Sequence, residues 1–364
     1  MKKLRIINLL LALSLFAFIF ACKKDNNEGS SNGGPVSGSS LFNDKYDVYM
    51  AGHEETEEMG VQAIYWKNDS KVQLNTEGML SSAAKSIFVD GEDVYVGGNS
   101  YVGNKTRVTY WKNGVSKFLS DDETFVDKVT AMAVENGKVY ITGYFRVNDK
   151  YVLAYWTDDK MVILGDSSID TWTTSIFVEN GDVYVCGWEQ KNSFSSRLTA
   201  VYWKNGNRVQ LAHSNDHSKA NDIFVKNGDV YVVGTYENVG GEERERGTIW
   251  KNDSIVLRVP GTLKLDKVFV EGNDIYTLDK NNQFYWKNLV KVDLHKSSNA
   301  LIAEPRSIFV VDGEVFVAGT ENMSTSYTNN NHMAAKLWKN GNGMQLSDGK
   351  NSSTYLQSIY VVKK

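Results

Sequence analysis

Trp172 and Trp188, with the run Tyr144-Phe145-Arg146, are the residues of this chain best suited to hold a ligand. Flat rings supply contact area at low entropy cost, and polar groups beside them fix orientation, as when a sugar ring or a peptide is bound. Tyr101, Asn221 and Arg306 join this candidate set. The competing reading is that the rings pack beneath their own loops as a satellite core. Carboxylate chemistry has a thinner basis. Asp222 and Asp266 could form an acid–base pair at a set separation, or act as turn and capping acids. The run HSNDH at 213–217 has a spacing that could hold a metal, with Asp216 nearby, but it lacks the third fixed ligand a zinc site needs. The repeated Asp-Gly and Asn-Gly pairs lack the ladder of alternate ligands that calcium requires, and read as turns. No Gly-x-Ser-x-Gly elbow, zinc signature or phosphate loop occurs. No catalytic residue, metal or cofactor is therefore assigned.

The elements that position these residues come from a repeat. The stretch AIYWKNDSKVQL at 63–74 returns as AVYWKNGNRVQL at 200–211. Its tryptophan recurs as Trp66, Trp111, Trp156, Trp203, Trp250, Trp286 and Trp338, at intervals of 45, 45, 47, 47, 36 and 52. A second phrase interleaves with the first: SIFVDGEDVYVGG at 86–98, SIFVENGDVYVCG at 175–187, DIFVKNGDVYVVG at 222–234, and three further copies. Short β-branched and aromatic runs around Asn-Gly or Asp-Gly read as hairpins. Two hairpins make one four-stranded sheet per period, apolar on successive residues and so covered on both faces. A stack of such sheets at this period predicts a β-propeller.

The count is seven. The missing copy of the second phrase is split between SIYVV at 358–362 and YDVYMAG at 46–52. The expected fold is therefore an all-β, seven-bladed β-propeller with four antiparallel strands per blade, its ring closed by the C-terminal strand pairing with the N-terminal one. A β-solenoid is the alternative, but it requires no such complementarity of the termini. With strands a (SIFV), b (DVYV), c (AVYW) and d (RVQL), the tight a–b and c–d turns share one face. The longer b–c and d–a loops share the other, which is the expected binding face. The loop between Asp279 and Phe284 is the short exception and predicts a notch in the rim, an entry path or a plain deletion. If strand a is innermost, Lys85, Thr130, Thr174, Asn221, Asp266, Arg306 and Gln357 ring the axial mouth, a set that reads as mixed and mostly neutral.

Residues 1–21 carry Lys2, Lys3 and Arg5 ahead of an apolar run, the pattern of an export signal. Residues 22–43 are polar and rich in Gly and Ser, a flexible tether, and 44–364 are the propeller. Loss of the three signal cations takes Lys+Arg from 40 to 37 against 44 Asp+Glu, or about −7. Without a long basic run, this argues against nucleic acid as a partner. Cys186 is the only other thiol beside Cys22, so no intrachain disulfide is expected if Cys22 is acylated, as the resemblance of its junction described next implies.

The Phe20-Ala21-Cys22 junction resembles a bacterial lipobox, which implies lipidation of Cys22. The acidic residues that follow are similar to the export tags of surface lipoproteins in the Bacteroidetes. The propeller resembles bacterial extracellular β-propeller lipoproteins, and its A-x-Y-W-K-N-G phrase is similar to HAF-type repeats of exported proteins. These resemblances imply a protein lipid-anchored in the outer membrane and exposed at the cell surface, with a periplasm-facing anchor left open. They carry structure and no active site. The expected function is non-catalytic binding of a glycan or protein partner, with contact to the membrane through the lipid alone. A glycan-active hydrolase or lyase and a structural part of an envelope complex are the alternatives.

Overall fold

The computed structural model describes residues 42–364 except 43–44, 59, 121–125, 159, 191–196, 213–215, 238–244, 324–332 and 351. The expected signal, Cys22, the tether apart from Phe42, His213 and His332 lie outside the described residues. Among the described residues, 28 strands form seven antiparallel four-stranded sheets, each in the order a-b-c-d. In blade 4 these are Asp170–Glu179, Asp182–Gln190, Thr199–Lys204 and Asn207–Gln210. The a strands touch one another around a full circle, so they are innermost. The C-terminal strand Ser353–Lys363 takes the a position of blade 1 and pairs with Tyr46–Thr56, Tyr360 opposite Tyr49 and Ile359 opposite Met50. This is the closure the split phrase predicts, and it leaves no open a-strand edge.

Each part of the repeated phrases makes a contact. The first residue of every Asn-Gly or Asn-Asp turn adopts positive φ, 51° at Asn205 and 59° at Asn252, as hairpin turns require. The Lys-Asn pair after the tryptophan clasps strand b. Asn205 Oδ1 accepts the Val183 amide at 2.8 Å, its Nδ2 donates to Asp182 at 2.7 Å, and Lys204 pairs with Asp182 at 2.9 Å. The same trio recurs at Asn113, Lys112 and Asp93 and at Asn252, Lys251 and Asp229. The acid ending strand a reaches the next blade's a–b turn: Asp90 to Gly137, Glu135 to Gly181, Glu271 to Gly313. Six of the seven periodic tryptophans are buried; Trp286, in the short blade 6, is half-buried. Around the innermost strands runs a collar of ring contacts, Phe177–Phe224–Phe269–Phe309–Tyr360–Phe88, with centroids 4.6–4.9 Å apart. Ala133 takes the seventh place.

Candidate functional site at the axial mouth

Strand a carries a β-bulge in six blades, and the extra residue is one of the ring the sequence placed at the mouth. Lys85 falls between the pairs Ala84–Gly98 and Ser86–Gly97, Thr174 between Thr173–Gly187 and Ser175–Cys186, and Asn221 between Ala220–Gly234 and Asp222–Val233. Thr130, Arg306 and Gln357 occupy the same place. A bulge re-aims one side chain and bends the strand. Bending brings the a-strand carbonyl onto strand b, and only a glycine leaves room there. A Cβ on Gly187 would stand 1.8 Å from the Trp172 oxygen, and one on Gly234 would stand 1.8 Å from the Lys219 oxygen. This explains the glycine ending each VYVxG phrase. Blade 6 has no bulge, and there Asp279 replaces the glycine.

The seven ring residues line a cavity of ≈ 410 Å³ together with Tyr144, Trp172 and Trp188. Of the eight residues singled out from the sequence, the structure brings five together here: Trp172, Trp188, Tyr144, Asn221 and Arg306. Tyr101 lies on strand b of blade 2, exposed and opposite Ser81, and does not line the cavity. Arg146 also stays outside. It donates to the Tyr151 hydroxyl at 2.5 Å and stands 3.6 Å from Asp127. Phe145, read as exposed, is 7 % accessible and belongs to the core of blade 3, because it follows Tyr144 and so takes the opposite face of its strand.

Trp172 and Trp188 sit within strands a and b of blade 4, not in the loops. They are directly opposite each other and stacked, with ring centroids 6.3 Å apart and planes at 29°. Tyr151 continues the wall at 5.6 Å from Trp172, and Tyr144 meets Tyr151 edge-on at 5.5 Å. The result is a four-ring arc on one side of the mouth, half-buried at both tryptophans. The rings therefore pack on one another, and three of them, Tyr144, Trp172 and Trp188, line the cavity at once.

The rest of the lining is rich in cations, one of them, Lys128, directly opposite Tyr144 in its own blade, so the mouth is more basic than the ring residues alone suggest. The ring residues alone are mixed, but Lys128, Lys267 and Lys280 also line the cavity. Lys128 stands two residues before its bulge, and Lys280 follows Asp279, carried to the mouth by the short b–c connection of blade 6. Lys267 is neutralised, pairing with Asp222 at 3.2 Å. Arg306 pairs with Glu304, two residues before it. Lys85 and Lys280 are both held below the ordinary lysine range by burial, with Lys128 and Arg306 adding to the effect in each case. The carboxylates are occupied. Asp222 also accepts the Val268 amide at 3.0 Å, and Asp266 accepts the Lys280 amide at 3.0 Å and pairs with Lys264 at 3.5 Å. Asn221, which also lines the cavity, donates through Nδ2 to the Leu265 carbonyl at 2.8 Å.

His53, on strand b of blade 1, stacks on Tyr355 at 5.0 Å. Burial, then Lys85 and Arg306, push its imidazole down to about 4, although Glu55 stands 3.8 Å from Nε2. Cys186 is fully buried beside Thr174, and that burial pushes its thiol up to about 12, so it is inert at neutral pH. No cluster of metal-ligating side chains occurs among the described residues.

Fold and mouth together define the class: a closed seven-bladed β-propeller with an aromatic and cationic cavity on its axis. No protein-family model matches the chain, and no curated protein matches it. Solved structures similar in fold include the β-propeller domain of the Trilobed protease from Pyrococcus furiosus, described as having an open velcro topology. It is 10% identical with a TM-score of 0.52, and the match covers 85% of this chain and 96% of that one. Acylaminoacyl peptidase from Pyrococcus horikoshii matches at 10% identity and TM-score 0.51, over 84% of this chain and 51% of its own. TolB from Acinetobacter baumannii matches at 9% identity and TM-score 0.46, over 86% and 66%. At such identities the likeness is one of fold.

Proposed function

We propose that this chain is an exported lipoprotein, anchored in the outer membrane through Cys22, whose propeller is a non-catalytic binding module for a glycan or protein ligand held at the axial mouth. The observation that carries the reading is the half-buried set of Trp188, Trp172 and Tyr144 lining the cavity, with Tyr151 joining Trp172 to Tyr144. Rigid stacked rings facing a concave, partly polar space are how binding surfaces gain area without losing side-chain entropy. Asp222 and Asp266 spend their oxygens on lysines and backbone amides, which weighs against the hydrolase alternative.

A glycan array probed with residues 42–364, repeated with Trp172→Ala and Trp188→Ala, tests the binding site. Loss of the signal in both variants with unchanged circular dichroism is expected; retention in both overturns the assignment. The anchor is tested separately by metabolic labelling with a fatty-acid analogue, which should mark the full chain and not a Cys22→Ser variant.

A further inference from the structure

Lined up by their place in the blade, the mouth positions are strongly biased in charge. They are the bulge residue, the residue two before it, and the strand b residue after the glycine. Across the seven blades they supply six cations, Lys85, Lys128, Lys219, Lys264, Lys280 and Arg306, against two carboxylates, Asp266 and Glu304. The whole chain has a formal net charge of −4. Both carboxylates are already taken, by Lys264 and Arg306. Lys85 and Lys128 carry no ion pair among the described residues, and like charges converge at close range in a partly desolvated space. Such convergence costs stability unless an anion relieves it.

We propose that the mouth cavity binds an anionic saccharide, its ring laid on the Trp172–Trp188 wall and its carboxylate or sulfate held by Lys85, Lys128 and Lys280. This rests on the reading of the propeller as a binding module and names the class of its ligand. The cavity of ≈ 410 Å³ is of the size that takes a small ligand or the end of a chain. The two stacked indoles both line the cavity and offer apolar surface to the C–H side of a pyranose, and an acidic peptide, whose charges lie on flexible side chains, has less use for such a surface. Lys219, 5.8 Å over the Trp188 ring, adds charge at the edge of the same wall. Asn221, Thr130 and Thr174 add neutral polar side chains to the same lining.

The test is titration of intrinsic tryptophan fluorescence with trigalacturonate, neutral galactotriose, a sulfated heparin tetrasaccharide and poly-glutamate. Trigalacturonate or the sulfated sugar should bind at least tenfold more tightly than galactotriose. Raising NaCl from 50 to 500 mM should weaken that binding about tenfold, as screening shortens the reach of the lysines. Lys85→Gln with Lys280→Gln should remove most of the preference while leaving residual neutral-sugar binding intact, and Tyr101→Ala, outside the cavity, should change nothing. Equal affinity for the neutral and acidic sugars overturns the anionic assignment but keeps the binding module. Tight poly-glutamate binding with no saccharide response overturns the saccharide assignment. Silence from all four probes overturns both readings.

Discussion

At the scale of single residues, acidity acts through His53. Its imidazole titrates at about 4 in the fold, against about 6.5 in an unfolded chain. Between those values the unfolded state binds the extra proton, so stability falls as pH drops from 6.5 to 4 and the loss is complete below. With the side chain 13 % exposed, the loss is on the order of 3 kcal/mol. Urea unfolding at pH 7.5 and 4.5 should show it, and His53→Phe, which keeps a ring against Tyr355, should flatten that slope; an identical slope in the variant would assign it to other groups. Gly187→Ala is the sharper steric test. The added methyl would meet the Trp172 carbonyl, and the clash should cost about 2–4 kcal/mol in a thermal melt and disturb the aromatic wall. The two cavity-lining tryptophans were legible because seven others are periodic and these are not. Lys128 was missed because a bulge shifts which positions face the axis, and the glycine that marks it, on strand b in every blade but the sixth, reads in the sequence as an ordinary turn residue; Lys280 was missed because only the short b–c connection of blade 6 brings it to the mouth.

At the scale of elements, most of the repeated phrase serves to fasten blades. Asn205 and Lys204 bind strand c–d to strand b, and Glu135 binds one blade to the next. That is why the fold could be read from the repeat and the ligand could not: the recurring residues are spent on structure, and the site lies in positions that differ between blades. A second such position is the buried acid two residues past the strand b glycine. Glu189 meets Arg208 at 2.8 and 2.7 Å, and Glu54 meets Lys71 at 2.9 Å. In blade 7 both partners are buried, Glu321 and Lys336 at 3.1 Å, with Ser297 completing the set. Lys336→Met should therefore cost about 3–5 kcal/mol by stranding the carboxylate, and adding Glu321→Leu should restore a good part of it. Thermal melts of the single and double variants decide between this and a mere packing defect, which the second change would deepen.

For the molecule as a whole, the closing strand is the decisive element. Its pairing with Tyr46–Thr56 is reinforced where Asp312 of blade 7 receives Lys363 at 2.9 Å and Lys45 at 3.3 Å, which hold its carboxyl down at about 2. This contribution is full above about pH 4 and fades as pH falls toward 2. Deleting residues 353–364 would expose strand b of blade 1 along its length and open the ring. The expected outcome is a broadened, lower-temperature melt with aggregation, measured by calorimetry and light scattering; a sharp melt at the parental temperature would mean the blades do not need the clasp.

The order of synthesis gives this clasp a consequence in time. The first blade to emerge from the ribosome is finished only after the other six, because its axial strand is Ser353–Lys363 while its other three strands lie within residues 46–73. Three strands of that blade must wait, with an unsatisfied edge, until the carboxyl end arrives. Closure of the ring is thus deferred until residues 353–363 have been made, long after the three strands they complete.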